Sequence, residues 1–341
     1  ATNRLSEAEP MMRKALEIDE KSFGPEHPDV ARDLNNLAQL LQDTNRYSEA
    51  EPMIKRALEI DEKSFGPDHP DVATDLNNLA QLLKATNRFS EAEPLMKRAL
   101  EIDEKSFGPE HPNVATDLNN LAQLLQATNR YSEAEPLMKR ALEIDEKSFG
   151  PEHPNVARDL NNLAGLLQAT NRFSEAEPMM KRVVDITKKS YGEDHPNVAT
   201  ALNNLAGLLQ ATNRYSEAEP LMKRVVDIMK KSYGEDHPNV ATALNNLAQL
   251  LQDTNRYSEA EPLMQRVVDI MKKSYGEEHP NVATALNNLA QLLKATNRYS
   301  EAEPLYIRAL AICTKSFGEN HPNTIKVRTN LNVLQEMMKK N

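Results

Sequence analysis

Between His69 and Glu110 the apolar residues fall into two helical patterns. Val72, Leu76, Leu79, Ala80 and Leu83 recur at three- and four-residue spacing, which predicts an amphipathic helix from Pro70 to about Ala85. Proline suits this start, because the N–H it lacks is one that a helix start leaves unpaired anyway. The polar Thr86-Asn87-Arg88 has the length of an antiparallel helix–helix turn. Ala92, Leu95, Met96, Ala99, Leu100 and Ile102 then predict a second helix from Ser90 to Phe107. Ser90-Glu91-Ala92-Glu93 reads as a capping box, in which serine and glutamate satisfy each other's backbone N–H. Pro94 falls in the first turn, where it costs at most one backbone bond. Glu93–Lys97 and Glu101–Lys105 are i,i+4 pairs in the favourable order, each worth roughly 0.3 kcal/mol. Gly108 predicts a left-handed C-cap. The first helix is called A below and the second B.

This pattern returns along the whole chain. All eight histidines mark its period: His27, His69, His111, His153, His195, His237, His279 and His321 stand 42 residues apart. One helix pair cannot bury its apolar face alone, but stacked copies can, so the expected fold is an all-α solenoid forming a single elongated domain over 1–341. Residues 1–26 read as the end of a turn and a helix B without its helix A. Seven complete units fill 27–320, and 321–341 is a final helix A whose charged sequence suits a terminal cap. The opening at Ala1 in mid-repeat reads as a fragment.

The unit resembles the tetratricopeptide repeat (TPR), in the 42-residue variety of kinesin light chains and bacterial arrays. The residues that carry the likeness are Leu76, Leu79-Ala80 and Leu83 in helix A, Phe89 and Ala92 at the turn, and Met96 and Ala99 in helix B. The phrases LNNLA, EAEPLMKRALEI and G-x-x-HP are similar to kinesin light chain repeats in particular. The family proline after helix B is absent, helix B is about two turns longer, and the early helix A aromatic is leucine. The resemblance implies a right-handed superhelix whose concave side, lined by helix A, takes peptides or partner helices.

Composition removes most other function classes. Lysine and arginine number 41 against 51 aspartates and glutamates, so nucleic acid is not the expected partner. No apolar run reaches membrane-spanning length. The one cysteine, Cys313, excludes an internal disulfide framework and suits a reducing cytoplasm. It shares a helix B slot with Asp61 and Met229 and is expected to be an inert surface thiol. Histidines one helix-packing distance apart cannot share a metal ion. No glycine-rich phosphate loop, HExxH or CxxC exists. All phenylalanines, and all tyrosines but Tyr306, occupy the Phe89 and Phe107 slots, expected to be core or seam; Tyr306 replaces a core methionine. No enzyme, metal or cofactor is therefore expected.

The informative surface is the side of helix A away from helix B: Thr74, Asn77, Gln81 and Lys84 in one copy. Asn77 and its counterparts form a row of amides, Asn35, Asn119, Asn161, Asn203, Asn245 and Asn287, which could pair with the backbone of an extended peptide whatever its side chains. Asn78 and its counterparts turn to the seam between neighbouring helices, where they are expected to hold the stack. The next slot reads Gln39, Gln81, Gln123, Gly165, Gly207, Gln249 and Gln291. Each glycine there costs roughly 1 kcal/mol relative to alanine, and the pair dents the groove wall where a ligand could approach closest; a single change copied once explains it equally. Arg32, Arg158, Lys84 and Lys294 face Asp43 and Asp253, so the groove reads as near neutral to slightly basic. The expected function is a non-catalytic scaffold for a protein or extended peptide with some acidic character. The alternatives are a structural array that stacks end to end, and a sensor segment of a larger signalling protein.

Overall fold

The computed structural model describes residues 2–340, and side chains from 7 to 339. Among the described residues there are sixteen helices and no strand. The A-type helices are α2 (Pro28–Asp43), α4 (Pro70–Ala85), α6 (Pro112–Ala127), α8 (Pro154–Ala169), α10 (Pro196–Ala211), α12 (Pro238–Asp253), α14 (Pro280–Ala295) and α16 (Pro322–Lys340). The B-type helices are α1 (Thr2–Phe23), α3 (Tyr47–Phe65), α5 (Phe89–Phe107), α7 (Tyr131–Phe149), α9 (Phe173–Tyr191), α11 (Tyr215–Tyr233), α13 (Tyr257–Tyr275) and α15 (Tyr299–Phe317). The helices group into two compact units, Ala1–Met179 and Met180–Asn341. Each is described by itself.

In the first unit, Val72, Ala73 and Leu76 of α4 pack with Ala99 and Ile102 of α5, and Leu58 of the preceding α3 closes the cluster. The next copy repeats this with Val114, Ala115, Leu118, Ala141 and Ile144, closed by Leu100. Each core thus needs the helix B before it, which is why one helix pair is not a stable unit by itself. Helix A is enclosed on more sides than an amphipathic helix requires: Ala73 and Leu82 are as buried as the expected Leu76 and Leu79. In the second unit Val240, Leu244 and Leu247 of α12 and Val267 and Ile270 of α13 are buried in the same slots. Tyr306 is fully buried, and burial pushes its phenol up to about 12. Cys313 is also buried, with its thiol pushed up by burial, and is not the surface thiol expected from its slot.

Local chemistry explains the helix ends, with four differences from expectation. His69 caps α4: its Nδ1 accepts from the Asp71 N–H at 3.2 Å, and Pro70 follows at the first helical position. The aromatic at the end of helix B does not enter the core. Phe107 is 42% exposed and stacks on His111 with ring centroids 4.6 Å apart, and all eight copies of this pair stack. The capping box is not formed. Helix α5 begins at Phe89 with Arg88 as N-cap and no side-chain cap bond, because Glu93 is drawn to Lys97 and to Arg130 of the next copy, each at 2.7 Å. Gly108 has φ 88° and ψ 158°, an extended mirror-image conformation open only to glycine rather than the left-handed helical one. The left-handed residue is Asn87, at φ 60°, which lets the Arg88 N–H reach back to Leu83 O at 2.8 Å. In α1 the helix already runs from Thr2, where the end of a turn was expected.

Candidate binding groove on the helix A face

The amide row is committed to the fold. In the first unit Asn77 Nδ2 donates to Asp117 Oδ1 at 2.6 Å, Asn119 Nδ2 donates to Asp159 Oδ1 at 2.8 Å, and Asn35 donates likewise to Asp75. In the second unit the bond runs the other way: Asn246 Nδ2 donates to Asn203 at 2.9 Å, and Asn288 Nδ2 donates to Asn245 at 3.0 Å. Asn287 is buried and accepts from Asn330 at 2.9 Å. Asn161 is half-buried. Six of the seven row asparagines thus bond to a neighbouring helix A, which takes up part of the hydrogen-bonding capacity expected for a peptide backbone, while Asn77 Oδ1 and Asn119 Oδ1 keep no protein partner. The seam role expected for Asn78 is present: its amide donates to Asn35 Oδ1 at 3.3 Å.

The aspartates that receive those amides are the residues sequence reasoning missed. Asp75, Asp117 and Asp159 are 2% exposed or less, and each faces a second buried aspartate on the preceding helix B: Asp61, Asp103 and Asp145. No N–H or hydroxyl donates to Asp61 Oδ1, Asp75 Oδ2, Asp103 Oδ1 or Asp117 Oδ2. Two carboxylates cannot satisfy one another unless one carries a proton, so burial of the pairs without a cation favours the protonated form. Burial pushes Asp117 up to about 7 and raises Asp75 and Asp61 well above the usual carboxylate range.

The third pair differs because an arginine sits on it. Arg158 Nη2 lies 3.2 Å from Asp145 Oδ2, and its Nε donates to Asp159 Oδ1 at 3.1 Å. That cation offsets part of the burial, and Asp159 is pushed up only to about 6. Thr74 and Thr116 hold the corresponding places in α4 and α6, and both are exposed.

These aspartates reverse the expected charge of the groove. A cleft of about 550 Å³ between α2 and α4 is lined by Asp29, Asp61, Asp71 and Asp75 against Arg32 alone. Arg32 is itself paired with Asp29 at 2.8 Å. Arg158 is taken up by its aspartates, and half-buried Lys84 donates to Gln123 at 3.0 Å, with burial lowering its pKa. In this unit the groove is acidic at its floor, not near neutral to basic.

In the second unit the same floor is apolar. Met229 and Ala243 line a cleft of about 150 Å³ between α10 and α12, and Met271 and Ala285 one of about 240 Å³ between α12 and α14. Of the remaining expected residues, Gln249 is exposed and donates to Asp253 at 2.9 Å, while Gln81 and Lys294 are half-buried on the same face. Around Gly165 and Gly207 a Cβ would meet nothing within 4 Å, so each leaves open space without a packing reason. Among the described residues no group of three metal-ligating side chains occurs, and no helix is long and apolar enough to cross a membrane.

Comparison with known proteins agrees with the helix-pair repeat. The tetratricopeptide repeat model matches in eight overlapping segments that together run from residue 1 to 341. A Podosopora anserina protein, described as a kinesin light chain with nearly identical TPR-like repeats, is 29% identical with a TM-score of 0.55; the match covers 61% of this chain and 99% of that one. BtubC from P. vanneervenii is 22% identical with a TM-score of 0.57, over 70% of this chain and 93% of that one. Yeast Tom70 is 17% identical with a TM-score of 0.64, over 98% of this chain and 59% of that one. No curated protein matches the sequence.

Proposed function

Because the chain belongs to the tetratricopeptide repeat family, we propose that it is a non-catalytic scaffold whose helix A face receives an extended segment of a partner protein. The observation that carries this reading is the series of clefts between consecutive A helices, one acidic in the first unit and two apolar in the second. The two clefts of the second unit lie one repeat apart, an interval that suits side chains of an extended chain, as alternate residues of a strand suit pockets along a sheet edge. The open space at Gly165 and Gly207 gives a ligand backbone room to approach. An acidic partner segment, which the charged residues of helix A alone would favour, has no support in the first unit, where carboxylates form the floor. The single cysteine suits a reducing cytoplasm as the setting.

Peptide-array binding tests this reading. The intact chain is compared with a variant carrying Thr74→Trp, Thr242→Trp and Thr284→Trp, which fills the clefts from exposed positions. Binding is expected to disappear in a variant whose circular dichroism is unchanged. Binding of equal strength would move the site to another face.

End-to-end stacking is a second reading with its own observation. Met11 and Ile18 of α1 are 73% and 51% exposed, and Ile325 and Val333 of α16 are also exposed. A head-to-tail contact between such faces is heterologous and does not close. Light scattering should then show mass rising with concentration, whereas a constant monomer mass removes the idea.

A further inference from the structure

We propose that the two buried aspartate pairs of the first unit that no arginine bridges, Asp61–Asp75 and Asp103–Asp117, are receptor sites for arginine side chains of an extended partner. This rests on the helix A face being the binding face. The chain itself shows the occupied form. In the third copy a guanidinium from Arg158 bridges both carboxylates of the pair, at 3.2 and 3.1 Å. The equivalent positions in the two preceding copies are the exposed Thr74 and Thr116, too short to reach the floor; in α2 the same position is Arg32, which lies beside the half-buried pair Asp19–Asp33 but pairs with Asp29 at 2.8 Å instead. At Asp61–Asp75 and Asp103–Asp117 the pair is otherwise the same as in the third copy: both aspartates are buried, and the second accepts from the asparagine of the previous helix A.

A second observation is spare acceptor capacity. At least one oxygen of each of these four carboxyls is buried without an N–H or hydroxyl donor, and Asp145 and Asp159 each keep one such oxygen even with Arg158 in place. Around the first pair stand Asp71 and His69 at the start of α4, and the Arg32–Asp29 ion pair across the cleft on α2. Around the second stand Glu104 of α5 and His111 at the start of α6. The surplus is negative in the first cleft, where four aspartates meet one arginine, so the complementary ligand is a cation. Arginine fits better than lysine, because two carboxylates on different helices match a forked donor and not a point charge.

Occupation exchanges one cation for another. An entering guanidinium donates N–H bonds to both carboxylates, and the proton held by the pair leaves to solvent. Binding must therefore release protons and weaken as pH falls. The two open pairs lie one repeat apart, about 10 Å for adjacent packed helices. An extended chain covers that in about three residues at roughly 3.3 Å each, so the recognised pattern is Arg-x-x-Arg.

Isothermal titration calorimetry on the full chain tests this with the blocked peptide Ac-Arg-Ala-Ala-Arg-amide and its citrulline analogue. At pH 7.5 the arginine peptide is expected to bind, with heats in phosphate and Tris that differ by the enthalpy of the released protons. Binding is expected to weaken about tenfold or more by pH 5.5, and the citrulline peptide should not bind. The variant Thr74→Arg with Thr116→Arg fills both sites from within, as Arg158 does, and should lose the peptide while remaining helical. Failure of the arginine peptide to bind, equal binding of the citrulline peptide, or retained binding by that variant would overturn the proposal. If array peptides still bind and still depend on the tryptophan-blocked clefts, the arginine inference alone falls. If they ignore the blocked clefts, the groove reading falls with it.

Discussion

Raising the pH from 5 to 8 is expected to destabilise the first unit by roughly 2–3 kcal/mol for each open aspartate pair, while the second unit changes little. The sign follows from where the proton resides. Asp117 holds its proton up to about pH 7 in the folded chain, whereas an unfolded aspartate loses it near 3.9. Between those values the folded state binds more protons, so stability from this source is full below the lower value and is lost as pH rises through the upper one. Asp75 and Asp61 act in the same direction, being raised by burial, while Arg158 weakens the effect at Asp145–Asp159. In the second unit the slots hold Thr187, Met229, Met271 and Cys313 opposite Ala201, Ala243, Ala285 and Val327, none of which titrates in this range. Native-state hydrogen exchange separates the two units at each pH. Replacing Asp61 and Asp103 by Met, and Asp75 and Asp117 by Ala, copies the second unit's solution and should flatten the pH response of α4–α7. An equal pH response in both units would refute this account.

Leu118→Ala is expected to cost about 2–5 kcal/mol, the range for truncating a fully buried leucine. Leu118 is 0% exposed and touches Val114, Ala115, Ala141 and Ile144, with Leu100 and Leu137 closing the cluster. Because each copy packs only on its neighbours, the loss should concentrate in α6 and α7 and decay along the unit. Exchange protection in α2 and α3 should stay near its original value. Uniform loss across all helices would mean that the unit unfolds as one body.

The helix pairs were legible, since Pro70 to Ala85 and the end at Phe107 come out at the boundaries that periodicity and proline placement predict, while helix B starts one residue early at Phe89 and α1 runs from Thr2. The groove was legible as a face but not as chemistry. Asn77 was read as exposed because its helical phase puts it opposite Leu76, yet its partner Asp117 comes from the next copy, 40 residues on. Phase within one helix carries no information about that neighbour. The buried aspartates escaped for a related reason, because a charged residue in an amphipathic pattern is assigned to solvent by default. A signal was present in the slots themselves: Asp61 and Asp75 change together to Met229 and Ala243. Two positions that switch jointly between copies of one chain are candidates for contact. The capping box failed differently. Ser90 and Glu93 have the right spacing, but Arg130 offers Glu93 a charged partner that a backbone N–H does not match.

The aspartate pair also constrains how such a gene can change length. Asp61 and Asp75 straddle the loop between one copy and the next, and Asn35 reaches Asp75 from the same copy as Asp61. Unequal crossing-over between like copies keeps every pair intact, so whole 42-residue blocks can be gained or lost within either unit without leaving an aspartate unpaired. A crossover inside that loop, joining a helix B of the first kind to a helix A of the second, strands one carboxyl opposite an alanine methyl. The hybrid junction would be the weakest point of the recombinant chain. The present boundary avoids this, because both slots have already changed at Thr187 and Ala201.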